Sequence, residues 1–143
     1  MSKMTLDISA MHDDFFADSA LVGIATALPG YRFGWLLNKE FGTAFVRKPD
    51  MDIPLQKAPD KSVYFPVYEY CVPLGGVKHL LYKLKNDKDT LLPEVKQLDY
   101  LWLLQGDIAD VPQIVRHLRN VPDVQLAQLL SVDKLKSLTN LLI

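Results

Sequence analysis

Apolar residues recur along this chain with two periods, and the switches between them mark out its elements. Phe33, Leu36, Leu37 and Phe41 stand at i, i+3, i+4 and i+8, one stripe of a helical repeat. They predict a helix over Tyr31 to Phe41, closed by a left-handed cap at Gly42. Val111, Ile114, Val115 and Leu118 predict a second helix, with Asp107 or Asp110 as N-cap and Pro112 in its first turn. Elsewhere the runs are too short for helices. Ala20 to Leu28, stopped by Pro29-Gly30, predicts a buried strand, and Tyr100 to Gln105, apolar on both faces, a central one. Ser62 to Val72 alternates through Val, Tyr and Phe and predicts one long strand. Its period puts Tyr64, Tyr68 and Tyr70 on one face, with Val63, Phe65, Val67 and Cys71 on the other. Pro66 lacks an N–H for a ladder, which assigns that strand to a sheet edge or a bulge.

The remaining pieces are shorter. Thr43 to Arg47 and Asp52 to Gln56 read as extended, separated by a turn at Lys48-Pro49-Asp50 and followed by a polar loop over Lys57 to Lys61. Pro73-Leu74-Gly75-Gly76 predicts a hairpin connection, with Val77 to Lys85 returning antiparallel. Val124 to Leu130 is the last strand, and Ser131 to Leu138 a terminal helical turn. The order is strand, helix, several strands, helix, strand. It predicts an α+β fold: an antiparallel or mixed sheet with two main helices on one face, in a ferredoxin-like element order with extra strands. The two strands of the closing strand–helix–strand unit are expected to run parallel in one sheet.

Composition narrows the picture. A chain of 143 residues, 49% apolar and 23% charged, fits a single α+β domain over 1–143, with 1–14 as a flexible arm, residues 1–19 reading as a short helical turn or a frayed arm. Sixteen basic and seventeen acidic residues leave a net charge of -1, so no general attraction to nucleic acid or to an anionic membrane is expected. No apolar run reaches a membrane span, and no secretory leader is read before Asp14. Cys71 is the single cysteine, which excludes an internal disulfide and points to a cytoplasmic protein.

Candidate chemistry is sparse. His12, His79 and His117 have no metal-ligand spacing, and no Walker, dinucleotide or nucleophile-elbow motif occurs, so no metal, cofactor or catalytic residue is assigned. Cys71 reads as a small buried hydrophobe. Tyr64, Tyr68 and Tyr70 read as packing under a helix or as a partner-facing strip.

One stretch stands apart: Leu92-Pro93-Glu94-Val95-Lys96-Gln97-Leu98-Asp99-Tyr100. Glu94 and Asp99 could converge as an acid/base pair or ligand clamp, or bracket a cation such as Arg32, Arg47 or Lys96. Alternatively Asp99 caps a turn through its side chain while Glu94 ion-pairs locally. A ligand site of this kind would gather Glu94, Asp99, Tyr100, Arg32 and Asn38. The structural version makes the stretch a corner, with Pro93 setting the turn and Tyr100 starting the central strand.

The same stretch resembles the motif that names the bacterial IPExxxVDY family. Pro93, Glu94, Asp99 and Tyr100 match, and Leu92 and Leu98 stand where the name has Ile and Val. A Val-Gly-Ile strand near the start, Tyr31-Arg32-Phe33-Gly34-Trp35-Leu36-Leu37-Asn38 and Gly106-Asp107 extend the likeness over nearly the whole chain. The resemblance implies a small cytoplasmic protein and carries no activity, cofactor or catalytic residue. The expected function is a non-enzymatic interaction or regulatory module, self-associating or binding a protein partner through an exposed strand or the tyrosine strip. The alternative is a small-ligand binder or enzyme built around Glu94 and Asp99.

Overall fold

The computed structural model describes residues 19–72, 77–86, 89–106 and 111–130, the side chains of 56–58 excepted. In order these form β1 (Ser19–Thr26), α1 (Gly30–Phe41), β2 (Val46–Arg47), a 3-10 turn (Pro49–Met51), β3 (Ile53–Ala58), β4 (Lys61–Phe65) and β5 (Val67–Cys71). Then follow β6 (Lys78–Lys83), β7 (Lys85–Asn86), β8 (Asp89–Thr90), a second 3-10 turn (Pro93–Val95), β9 (Tyr100–Gln105), α2 (Val111–Arg119) and β10 (Val124–Leu130). The expected arm over 1–14, the Pro73–Gly76 hairpin, the caps Asp107 and Asp110 and the turn over Ser131–Leu138 lie outside the described residues.

The class is α+β. Six strands make one sheet in the order β10-β1-β9-β6-β5-β2, and every neighbouring pair is antiparallel. β9 and β10 both run against β1, so they are parallel to each other with β1 between them, joined through α2. β2 to β5 stand between α1 and β6, an insertion that a plain βαββαβ order lacks.

Both faces of the sheet are buried, which explains why its central strands are apolar throughout. On one face Val22, Ile24, Leu81, Tyr100 and Trp102 meet the stripes of both helices, Phe33 and Leu37 of α1 with Val115 and Leu118 of α2. On the other, Leu21, Leu80, Tyr82, Leu101 and Leu103 are covered by Ile53 and Phe65 of the β3–β4 hairpin and by Leu92, Val95 and Leu98. Gly42 adopts φ 66°, the left-handed cap its position predicts.

Pro66 has a stronger effect than an edge or a bulge. It splits the expected long strand in two: β4 pairs only with β3, while β5 lies in the main sheet between β6 and β2. With no N–H to give, Pro66 keeps only its carbonyl bond, from the Lys83 N–H at 3.0 Å. The tyrosine strip is lost with the strand. Tyr64 is 56% exposed on the separate hairpin, whereas Tyr68 is buried against the helices and Tyr70 packs partly beneath them. Cys71, expected to be buried, is exposed at the end of β5.

Gly23 records how closely the second layer sits on the sheet. A Cβ there would lie 2.4 Å from Leu98 Cδ1. At Gly34, on α1, the nearest contact would be an ordinary 3.7 Å to Tyr68. Gly23→Ala is therefore expected to cost about 1–3 kcal/mol through overpacking. Gly34→Ala should stabilise by roughly 0.5–1 kcal/mol by removing a helix-interior glycine. Urea titrations should move the two midpoints in opposite directions.

Candidate functional site

The segment Leu92 to Tyr100 makes its corner by short local bonds. Pro93 opens the 3-10 turn, where its missing N–H costs nothing. The Val95 N–H donates to the Leu92 carbonyl at 3.1 Å and the Leu98 N–H to the Val95 carbonyl at 2.9 Å. Leu92, Val95 and Leu98 are thereby turned into the hairpin-side core, leaving Glu94 exposed.

Asp99 then binds three chain segments together. Its N–H donates to the Ile24 carbonyl and its carbonyl accepts from the Leu84 N–H, each at 2.8 Å. Its side chain continues the ladder: Oδ2 accepts the Thr26 N–H at 2.9 Å, and Oδ1 pairs with Lys85 Nζ at 3.1 Å. Tyr100 fixes the next step of the same turn. Its hydroxyl donates to the Leu28 carbonyl at 2.8 Å, and its ring lies 4.5 Å from that of Phe33. Burial holds its phenol well above the ordinary value, so it is a neutral donor. Thr26 completes the arrangement by donating from Oγ1 to the Asp123 carbonyl at 2.6 Å and accepting the Leu28 N–H at 3.3 Å.

Around this point lies a surface cavity of about 350 Å³, lined by Thr26, Ala27, Leu28, Pro29, Lys83, Lys85, Asp99 and Tyr100. Of the five residues the sequence suggests for a site, it brings together Asp99 and Tyr100. Glu94 is not in its wall. Arg32 lies on the exposed face of α1, where it lines a separate cavity with Tyr31 and Trp35. Asn38 closes the turn after α1: its Oδ1 accepts the Phe45 N–H at 2.7 Å and the Thr43 hydroxyl at 2.8 Å, and its Nδ2 donates to the Phe45 carbonyl. The cation beside Asp99 is Lys85, rather than Arg32, Arg47 or Lys96. Arg47 is engaged by Asp52, with Nη2 to Oδ2 at 2.7 Å. Lys83 and Lys85 escape a sequence reading as site residues, because they look like the wet side of a strand and only its end brings them to Asp99.

A second polar feature sits inside the helix-side core. His79 is 9% exposed, and Trp102 Nε1–H donates to its Nδ1 at 3.0 Å, so the neutral ring carries its proton on Nε2. Tyr70 stacks on it at 5.4 Å. Burial lowers its pKa below the usual histidine value. Among the described residues, no group of three or more His, Cys, Asp or Glu side chains could hold a metal ion. No helix among them is long and apolar enough to cross a membrane. Compared with known proteins, the chain matches no family model and no curated protein sequence.

Asp99→Ala should cost about 1–3 kcal/mol, since it leaves the Thr26 N–H without its acceptor, while Tyr100→Phe should cost roughly 1 kcal/mol. Amide exchange read by NMR should quicken at Thr26 in the first variant. For His79, the folded state resists a proton that the unfolded chain accepts, so stability should fall as pH drops below about 6.5. The His79 ring proton signals should titrate below that value, and an inflection at or above it would contradict the buried neutral ring.

Proposed function

We propose that the protein is a non-enzymatic interaction module that pairs with a second copy of itself along the outer edge of β10. The carrying observation is the chemistry of that edge. β10 ends the sheet, and among the described residues β1 is its only strand neighbour. Its seven residues, Val124-Gln125-Leu126-Ala127-Gln128-Leu129-Leu130, contain no charge and no proline.

Charges and prolines are the usual devices that keep sheet edges from pairing. Leu126 and Leu129 are 38% and 57% exposed, so apolar area accompanies an edge at which, among the described residues, only the Ala127 carbonyl has a side-chain partner, Arg119 Nε at 2.9 Å, which a pairing strand would displace. The opposite edge, β2, is two residues long and gives a partner little to hold. Two β10 strands related by a two-fold axis pair antiparallel and self-complementarily, joining two sheets into one.

The sequence of residues 92–100 supports reading the chain as a member of the IPExxxVDY family, with a bacterial and cytoplasmic setting. A lone cysteine, exposed on β5, is in keeping with a reducing compartment.

Size-exclusion chromatography with light scattering should give twice the chain mass of 16.2 kDa. Replacing both Leu126→Lys and Leu129→Lys should return it to a single chain without unfolding it, because both side chains are already solvent-exposed. A wild-type protein that stays at one chain mass at about 100 μM, some tenfold above a Kd of about 10 μM (roughly 7 kcal/mol), would end this reading.

A further inference from the structure

We infer that the cavity between Asp99 and the turn from β1 into α1 binds a small organic oxyanion, a carboxylate or a phosphate monoester, through Lys83 and Lys85. The inference goes beyond self-association and does not rest on it.

Its basis is which polar groups the fold has already used. Both Asp99 carboxylate oxygens are engaged, one by the Thr26 N–H and one by Lys85. The Tyr100 hydroxyl is committed to the Leu28 carbonyl, and the Thr26 hydroxyl to the Asp123 carbonyl. The side-chain oxygens of the wall are thus all occupied. What its side chains leave for a ligand is ammonium. Lys83 makes no ion pair among the described residues, and Lys85, 38% exposed, has N–H groups beyond the one facing Asp99. Two lysines against one carboxylate leave an excess of one positive charge.

The other wall sets the shape of the ligand. Ala27, Leu28 and Pro29 are apolar, and the cavity measures about 350 Å³. That is room for an oxyanion carrying a short apolar group, and its size falls at the small end of ligand pockets. A cation would meet Lys83 and an already neutralised carboxylate, so the site selects against it.

Propionate and methyl phosphate are the probes, each compared with sodium chloride at equal ionic strength. In ¹H–¹⁵N spectra, at least one of them should produce saturable shifts centred on the Ala27, Leu28, Lys83 and Lys85 amides, and the tighter of the two identifies the headgroup. Lys83→Met should weaken that binding about tenfold, the loss expected for one charge-assisted contact, whereas Lys61→Met on the β3–β4 hairpin should not. Lys83→Gln provides the same comparison if the methionine variant folds poorly. Shifts that follow ionic strength alone, spread over the surface, or persist unchanged without the Lys83 charge would overturn the assignment. Because the signal is read at the β1–α1 turn, its failure is distinct from a failure of β10 to pair.

Discussion

The carboxylate of Asp99 holds the sheet and the first helix in one geometry. β1 leaves the ladder after Ile24, just where β9 is beginning, and the next N–H on that side belongs to Thr26. No β9 backbone carbonyl is there to accept it, and the Asp99 side chain takes over at 2.9 Å. A donor orphaned in a partly buried place costs about 1–3 kcal/mol, several times the net gain of an ordinary surface ion pair. The bond to Thr26 is therefore the structural role of this residue, with the Lys85 pair a secondary contribution. Tyr100 repeats the logic one step along, giving its hydroxyl to Leu28.

The corner also solves a problem of sides. Leu98 packs into the hairpin-side core and Tyr100 into the helix-side core, although residues two apart in a straight strand share a face. A bend at Asp99 separates them, so one short segment seals both layers. The bend removes regular ladder bonds, and the Asp99 side chain restores one of them. Gly23 belongs to the same solution, since Leu98 comes so close to β1 that a Cβ would meet it at 2.4 Å.

Much of this is legible in the sequence because local pattern and tertiary fold agree. The stripe from Phe33 to Phe41, the cap at Gly42 and the doubly apolar Tyr100 to Gln105 each have one physical solution. Asp99 as a cap for backbone donors is also readable, although not which donors, because Thr26 is 73 positions away. The failures share a cause. Pro66 is a local signal, but whether the chain bulges or leaves the sheet depends on the second layer that β3 and β4 build. Once β4 departs, Tyr64 parts from Tyr68 and Tyr70. Cys71 is misplaced because alternation gives the face of a residue and not where that face ends. Arg32 and Asn38 follow the helix they sit on, one toward solvent and one into the turn before Phe45, and neither direction leads to Asp99.

The same constraint bears on function. Both carboxylate oxygens of Asp99 and the hydroxyl proton of Tyr100 are engaged in holding the chain. Tyr100, raised by burial, does not ionise near neutral pH. Lys83 lines the cavity and makes no ion pair among the described residues, while the outer edge of β10 carries Arg119, whose Nε–H donates to the Ala127 carbonyl at 2.9 Å. Two lysines against one engaged carboxylate are the basis of the anion-binding proposal, and the charge- and proline-free sequence of β10 is the basis of the pairing proposal. Asp99 and Tyr100 fix the β1–α1 turn through the Thr26 N–H and the Leu28 carbonyl, and that turn forms the apolar wall of the cavity, so the groups that hold the chain also set the shape of the proposed site.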